Sequence, residues 1–113
     1  LYSQGNHLQK IALNKQTVAS QKETFLFNTN LKVVNAQNEI AKIKEQIKSD
    51  DEIIALRKNI KKAAEVKVEN GTLTVTDLIR EINAESTAIQ DKALRQIQLS
   101  MAIYNLKNIT NNQ

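Results

Sequence analysis

The feature that most constrains this chain is how little can interrupt a helix. In 113 residues there is no proline, and the second of only two glycines stands at position 71. Proline and glycine are the residues that end helices, so a chain so poor in both is committed to long helical runs. Gly71 follows Asn70, and the pair suits a helix C-terminus: glycine takes the left-handed conformation without a Cβ clash and frees the last carbonyls to find amide partners. Three residues on, Thr74 has the character of an N-cap, with Asp77 at the third helical position to complete a capping box and complement the helix dipole. Leu73 and Leu78 then fall where a hydrophobic staple would fix the angle at which the chain re-enters. These signals predict a tight helical hairpin with its tip at Gly71.

The hairpin divides the sequence into a leading stretch over 1–6, a first long helix over 7–70, a tip over 71–74, a second helix over 75–107 and a frayed end over 108–113. Before the tip, apolar residues recur in heptads. Ile11, Val18 and Phe25 are seven apart, and after a slip of one residue Val33, Ile40, Ile47 and Ile54 continue the pattern, with Ala36 and Ile43 at d-type positions. Asn28, Thr29 and Asn30 have poor helix propensity and coincide with the slip, so a bend or break is expected there.

After the tip, Leu78, Ile82, Ile89, Ala93, Ile97, Ser100 and Tyr104 form one stripe, widened by Ile79, Leu94, Leu99, Met101, Ile103 and Leu106. That surface is broader than a two-helix seam needs, which predicts neighbours on both flanks. At 1.5 Å per residue the second helix reaches roughly 50 Å, enough to cover only about residues 42–69 of the first. The overhang must fold back near Asn28 as a third helix or pair with another copy. The fold class is therefore all-α, a long antiparallel coiled-coil-like hairpin that self-associates.

Chemistry has little foothold. His7 is the lone histidine and there is no cysteine, so neither a zinc site nor a nucleophile–base pair can be assembled. We expect no catalytic residue, no metal and no cofactor. Asp50, Asp51 and Glu52 are consecutive and fan over different helix faces. They read as solvated surface, although Asp50 occupies a d-type position where a polar partner would suit it. Asp91 with Arg95 and Glu39 with Lys42 have the spacing of surface ion pairs. The net charge of +4 comes from scattered lysines and arginines with no interleaved aromatics, which argues against nucleic acid. Lys58, Lys61 and Lys62 read as a solvated face. Asn70-Gly71-Thr72 and Asn108-Ile109-Thr110 fit the glycosylation sequon, a pattern too short to carry weight alone. With no starting Met, no leader and no run of 18 apolar residues, the sequence reads as a piece of a larger protein.

Several of these stretches also carry a resemblance. Val68-Glu69-Asn70-Gly71, Thr74-Val75-Thr76-Asp77-Leu78-Ile79, Asn83-Ala84-Glu85 and Ile103-Tyr104-Asn105-Leu106-Lys107-Asn108-Ile109-Thr110 together resemble a repeat of the TolC-like outer-membrane efflux proteins. Asp50-Asp51-Glu52-Ile53-Ile54-Ala55-Leu56-Arg57 is similar to a stretch in members from Bacteroides-type bacteria. The resemblance implies a Gram-negative outer-membrane location with this segment in the periplasm, and it makes the stretch 1–6 an expected remnant of a strand-to-helix junction. It also implies a homotrimer whose hairpins, two from each protomer, close a tube of twelve helices, and partnership with a periplasmic adaptor and an inner-membrane pump. The adaptor-contacting tip would map to Glu69, Asn70, Gly71, Thr72 and Leu73, and a carboxylate at the constricted entrance to Asp77, beside Thr74. Where some members place a further acid one turn on, this chain has Arg80, which weighs against an acidic ring. The ending Asn-Ile-Thr-Asn-Asn-Gln favours the C-terminal repeat. Two other classes fit the same helices: a coiled-coil adaptor or scaffold with no channel role, and a helical toxin or secretion-needle component.

Overall fold

The computed structural model describes residues 2–111. Two helices account for almost all of them: α1 spans Tyr2–Glu69 and α2 spans Val75–Asn111. They lie antiparallel in a rod of 104 × 19 × 17 Å, as long as one unbroken 68-residue helix and as wide as two.

The tip forms as the sequence dictates. The Gly71 amide donates to the Val68 carbonyl at 3.0 Å and the Thr72 amide to the Lys67 carbonyl at 2.9 Å, the two bonds of a Schellman cap. Gly71 has φ of 75°, the only positive value among the described residues. The Thr72 hydroxyl adds a second bond to the Lys67 carbonyl. On the far side the Asp77 amide donates to Thr74 Oγ1 at 3.1 Å, and the Leu78 amide to the Thr74 carbonyl opens α2. The reciprocal half of the capping box is altered: the Thr74 hydroxyl donates to the Asp77 carboxylate at 2.9 Å. Leu73 and Leu78 are half-buried, as a staple requires.

Several expectations need correction. The break near Asn28–Asn30 does not occur, because α1 runs straight through it. Thr29 donates its hydroxyl to the Phe25 carbonyl at 2.8 Å within the same helix, and three weak formers cost only a few tenths of a kcal/mol each. Starting a new helix would cost more, since nucleation is unfavourable. The chain therefore does not fold back into a third helix. α1 already includes Tyr2 to Asn6, so the expected junction remnant is helical, and α2 continues four residues past Lys107. Of the expected frayed end, only Asn112 and Gln113 lie outside the described residues. With that extra turn α2 reaches further than residue 42: Asn108 and Ile109 line a groove together with Phe25, Thr29 and Lys32. The overhang is thus residues up to about 24, and every residue of it from Gly5 on is exposed.

Residues shielded on α1 recur at Thr29, Val33, Ala36, Ile40, Ile43, Ile47, Asp50, Ile54, Arg57, Lys61, Ala64 and Val68. This is the alternating three-and-four spacing of a coiled-coil seam, and it confirms the heptads from Val33 onward. Little is fully buried: among the described residues only Ala36, Ile43, Asp50, Ala64 and Ala88. The chain exposes 9041 Å², about 1.4 times the roughly 6,300 Å² expected of a compact monomer of its mass. A two-helix rod has a seam but no core.

Candidate functional surfaces

Three surfaces are built on this frame: the tip, the seam, and the outer faces of the two helices. At the tip, Glu69, Asn70, Gly71 and Thr72 are exposed and Leu73 is half-buried. Thr74 and Arg80 are also exposed, and Arg80 Nη1 lies 3.5 Å from the Asp77 carboxylate. Asp77 is therefore engaged from both sides, by the cap hydroxyl and by Arg80, which supports its capping role. A Cβ placed on Gly71 would meet nothing within 4 Å, so a side chain there is opposed by backbone conformation alone. Gly71→Val is expected to cost about 1–2 kcal/mol from the left-handed φ. Thermal melting followed by circular dichroism checks this, and an unshifted midpoint would mean the tip has rearranged.

The seam holds what the sequence reading missed. Arg95 crosses from α2 to α1 and grips Asp50, with Nε to Oδ2 at 2.6 Å and Nη2 to Oδ1 at 3.4 Å. Asp50 is 6% exposed, so it is no solvated surface residue, and its d-type position finds the polar partner it needs. Arg95 is thus turned across the seam, and neither the Asp91–Arg95 nor the Glu39–Lys42 surface pair forms. Three further pairs cross: Lys92 with Asp51 at 2.6 Å, Lys61 with Glu85 at 3.0 Å, and Arg57 with Glu81 at 3.9 Å. Lys61 accordingly leaves the solvated lysine face it was assigned to. Continuing the α1 heptads to 57 and 61, and asking which α2 positions carry opposite charge at the same spacing, would have found Glu81, Glu85, Lys92 and Arg95.

The outer faces are the larger surprise. Of the apolar stripe expected on α2, only Leu78, Leu99 and Leu106 are shielded by α1; Ile79, Ile82, Ile89, Ile97, Met101 and Tyr104 are exposed. α2 turns Glu81, Glu85, Ala88, Lys92 and Arg95 inward, and its outward stripe of Val75, Ile79, Ile82, Ser86, Ile89 and Ala93 lies one residue C-terminal to them. On α1 the exposed Ile53, Leu56 and Ala63 lie one residue N-terminal to seam positions. One residue is about 100° of rotation, and both helices are right-handed and antiparallel, so these offsets turn the two stripes to opposite broad sides of the hairpin. On the overhang Leu8, Ile11 and Val18 are exposed too.

No protein-family model, curated protein or solved structure matches the chain. Among the described residues no three His, Cys, Asp or Glu side chains gather as metal ligands, and no described helix is long and apolar enough to cross a membrane. What the arrangement offers is surface: a rod with a seam that is ionic only in its middle, two apolar outsides and a polar, capped tip.

Proposed function

We propose that this hairpin is a wall element of the periplasmic α-helical barrel of a TolC-like outer-membrane channel. The observation that carries this reading is the placement of apolar stripes on opposite broad sides. A rod whose seam is apolar toward both ends and ionic in the middle, and which also presents isoleucine outward on both sides, is suited to stand between two neighbours in a closed wall. Unlike faces on the two sides make a head-to-tail interface, the kind that closes into a ring when the rotation between neighbours is a whole fraction of a turn. The motif resemblance around Thr74–Ile79 and Ile103–Thr110 supplies the family. In this reading the full-length protein is a homotrimer in the outer membrane. It conducts substrates passively from an inner-membrane pump, and its tip of Glu69, Asn70, Gly71, Thr72 and Leu73 docks a periplasmic adaptor. Thr74, Asp77 and Arg80 stand beside that tip at the entrance.

The test uses the parent protein. Outer-membrane fractions run on a denaturing gel with and without boiling should give a trimer-sized band that collapses to monomer on heating. A soluble or inner-membrane parent would sink the channel, and the coiled-coil scaffold would replace it. Gly71→Val should also weaken adaptor binding, and unaltered affinity in that variant would remove the tip from the interface.

A further inference from the structure

The seam changes character along its length. In the base segment, furthest from the tip, the α1 positions from Val33 to Ile47 and the α2 positions Leu99, Ala102, Leu106 and Ile109 are apolar save for Gln46, and no ion pair crosses. Beside the tip, Ala64 and Val68 on α1, Leu73 in the tip itself and Leu78 on α2 are shielded and again apolar. Between these lies a central segment, 50–61 on α1 and 81–95 on α2, which contains all four crossing ion pairs. Its charges come in blocks. Asp50 and Asp51 meet Lys92 and Arg95, while Arg57 and Lys61 meet Glu81 and Glu85.

Packing in this segment is loose. Its one fully buried apolar residue is Ala88; Ile54, Ile60 and Ala84 are half-buried, while Ile53, Leu56, Ile82 and Ile89 are exposed. A cleft of about 310 Å³ opens between the arms, lined by Asp50, Arg57, Ala84 and Ala88 among others. Glu81 Oε2 and Glu85 Oε2 are shielded yet accept no hydrogen bond, although Lys61 Nζ lies 3.0 Å from the latter. Several of the paired groups remain open to solvent, with the Arg57 side chain 43% and that of Asp51 55% exposed.

From these observations we propose that the central segment is an electrostatic clasp: it joins the arms by charge and lets them bow apart as ionic strength rises, while the base and the tip stay joined. Attraction between charges that solvent reaches is screened as the Debye length falls from about 30 Å at 0.01 M salt to about 3 Å at 1 M. Apolar contacts at the base and beside the tip are not weakened by salt in this way. The helices themselves persist, since their backbone bonds are local. The clasp is a property of the hairpin and holds whether or not the hairpin lines a channel.

Spin-label distance measurements on two double variants test it, with labelled chain diluted into unlabelled chain so that only distances within one molecule are read. Asn59→Cys with Asn83→Cys reports the central segment, and Asn38→Cys with Asn105→Cys the base; all four positions are exposed and outside the ion pairs. Between about 0.01 M and about 1 M salt the central distances should lengthen and broaden, with base distances and helical content unchanged. Replacing Asp50, Arg57, Glu81 and Arg95 together with leucine removes two of the four pairs and should clearly reduce the response of the central distances to salt, with Lys92–Asp51 and Lys61–Glu85 left in place; an unreduced response would overturn the clasp. Central distances that ignore salt in the unaltered seam, or base distances that broaden in step with them, would overturn the clasp.

Discussion

Replacing Arg95 with alanine is expected to lower the stability of the hairpin by about 2–4 kcal/mol. The reason is the residue left behind. Asp50 is 6% exposed and its carboxylate takes both bonds from Arg95, so without the guanidinium a charged group stays shielded with its main partner gone. Lys92 is committed to Asp51 at 2.6 Å and would have to abandon that pair to compensate. Replacing both residues, Asp50→Leu with Arg95→Leu, should be near neutral or stabilising, because two leucines fill the seam with no desolvation penalty. Thermal melts at one fixed concentration separate the cases. The single variant should melt about 10 °C or more below the parent, and the double variant close to it or above. A single variant that melts like the parent would show that the pair is idle.

The second large effect concerns association. Ile82 and Ile89 sit on the outer stripe of α2, 44% and 47% exposed, and burying what remains of each against a neighbour contributes about 2 kcal/mol. Changing both to lysine should therefore weaken self-association by about a thousandfold, with little effect on the hairpin, whose seam they do not enter. Sedimentation equilibrium over a range of concentrations reads this directly. The unaltered chain should gain mass above its 12.8 kDa monomer as concentration rises, and the Ile82→Lys, Ile89→Lys variant should not. An unaltered chain that stays monomeric throughout would mean that the exposed isoleucines meet something other than a second copy.

The tip was fully legible. Gly71, Thr74 and Asp77 act within six residues of one another, through backbone conformation and bonds between near neighbours, and such interactions are written in the order of the residues. The helix around Asn28–Asn30 was misread because propensity is a weak local term. It was outweighed by helix continuity, and the Thr29 hydroxyl finds its partner in the Phe25 carbonyl without interrupting the helix. The seam on α1 from Val33 to Ile54 was legible as well save at Gln46 and Asp50, since elsewhere in it the apolar residues and the facing residues coincide.

On α2 they do not coincide, and that is where reading stopped. Apolar periodicity marks a face that gains by being covered, but it does not say which helix covers it. The stripe through Ile82 and Ile89 was real, yet the structure gives it to the outside and turns Glu81, Glu85, Lys92 and Arg95 toward α1. By itself, then, the sequence determined two long helices, the place where they part and the antiparallel course that a short capped tip imposes. Only the tertiary structure decided which face of each helix meets the other. That choice rests on charges such as Asp50 and Arg95, 45 residues apart in the chain, which attract only once the hairpin has closed.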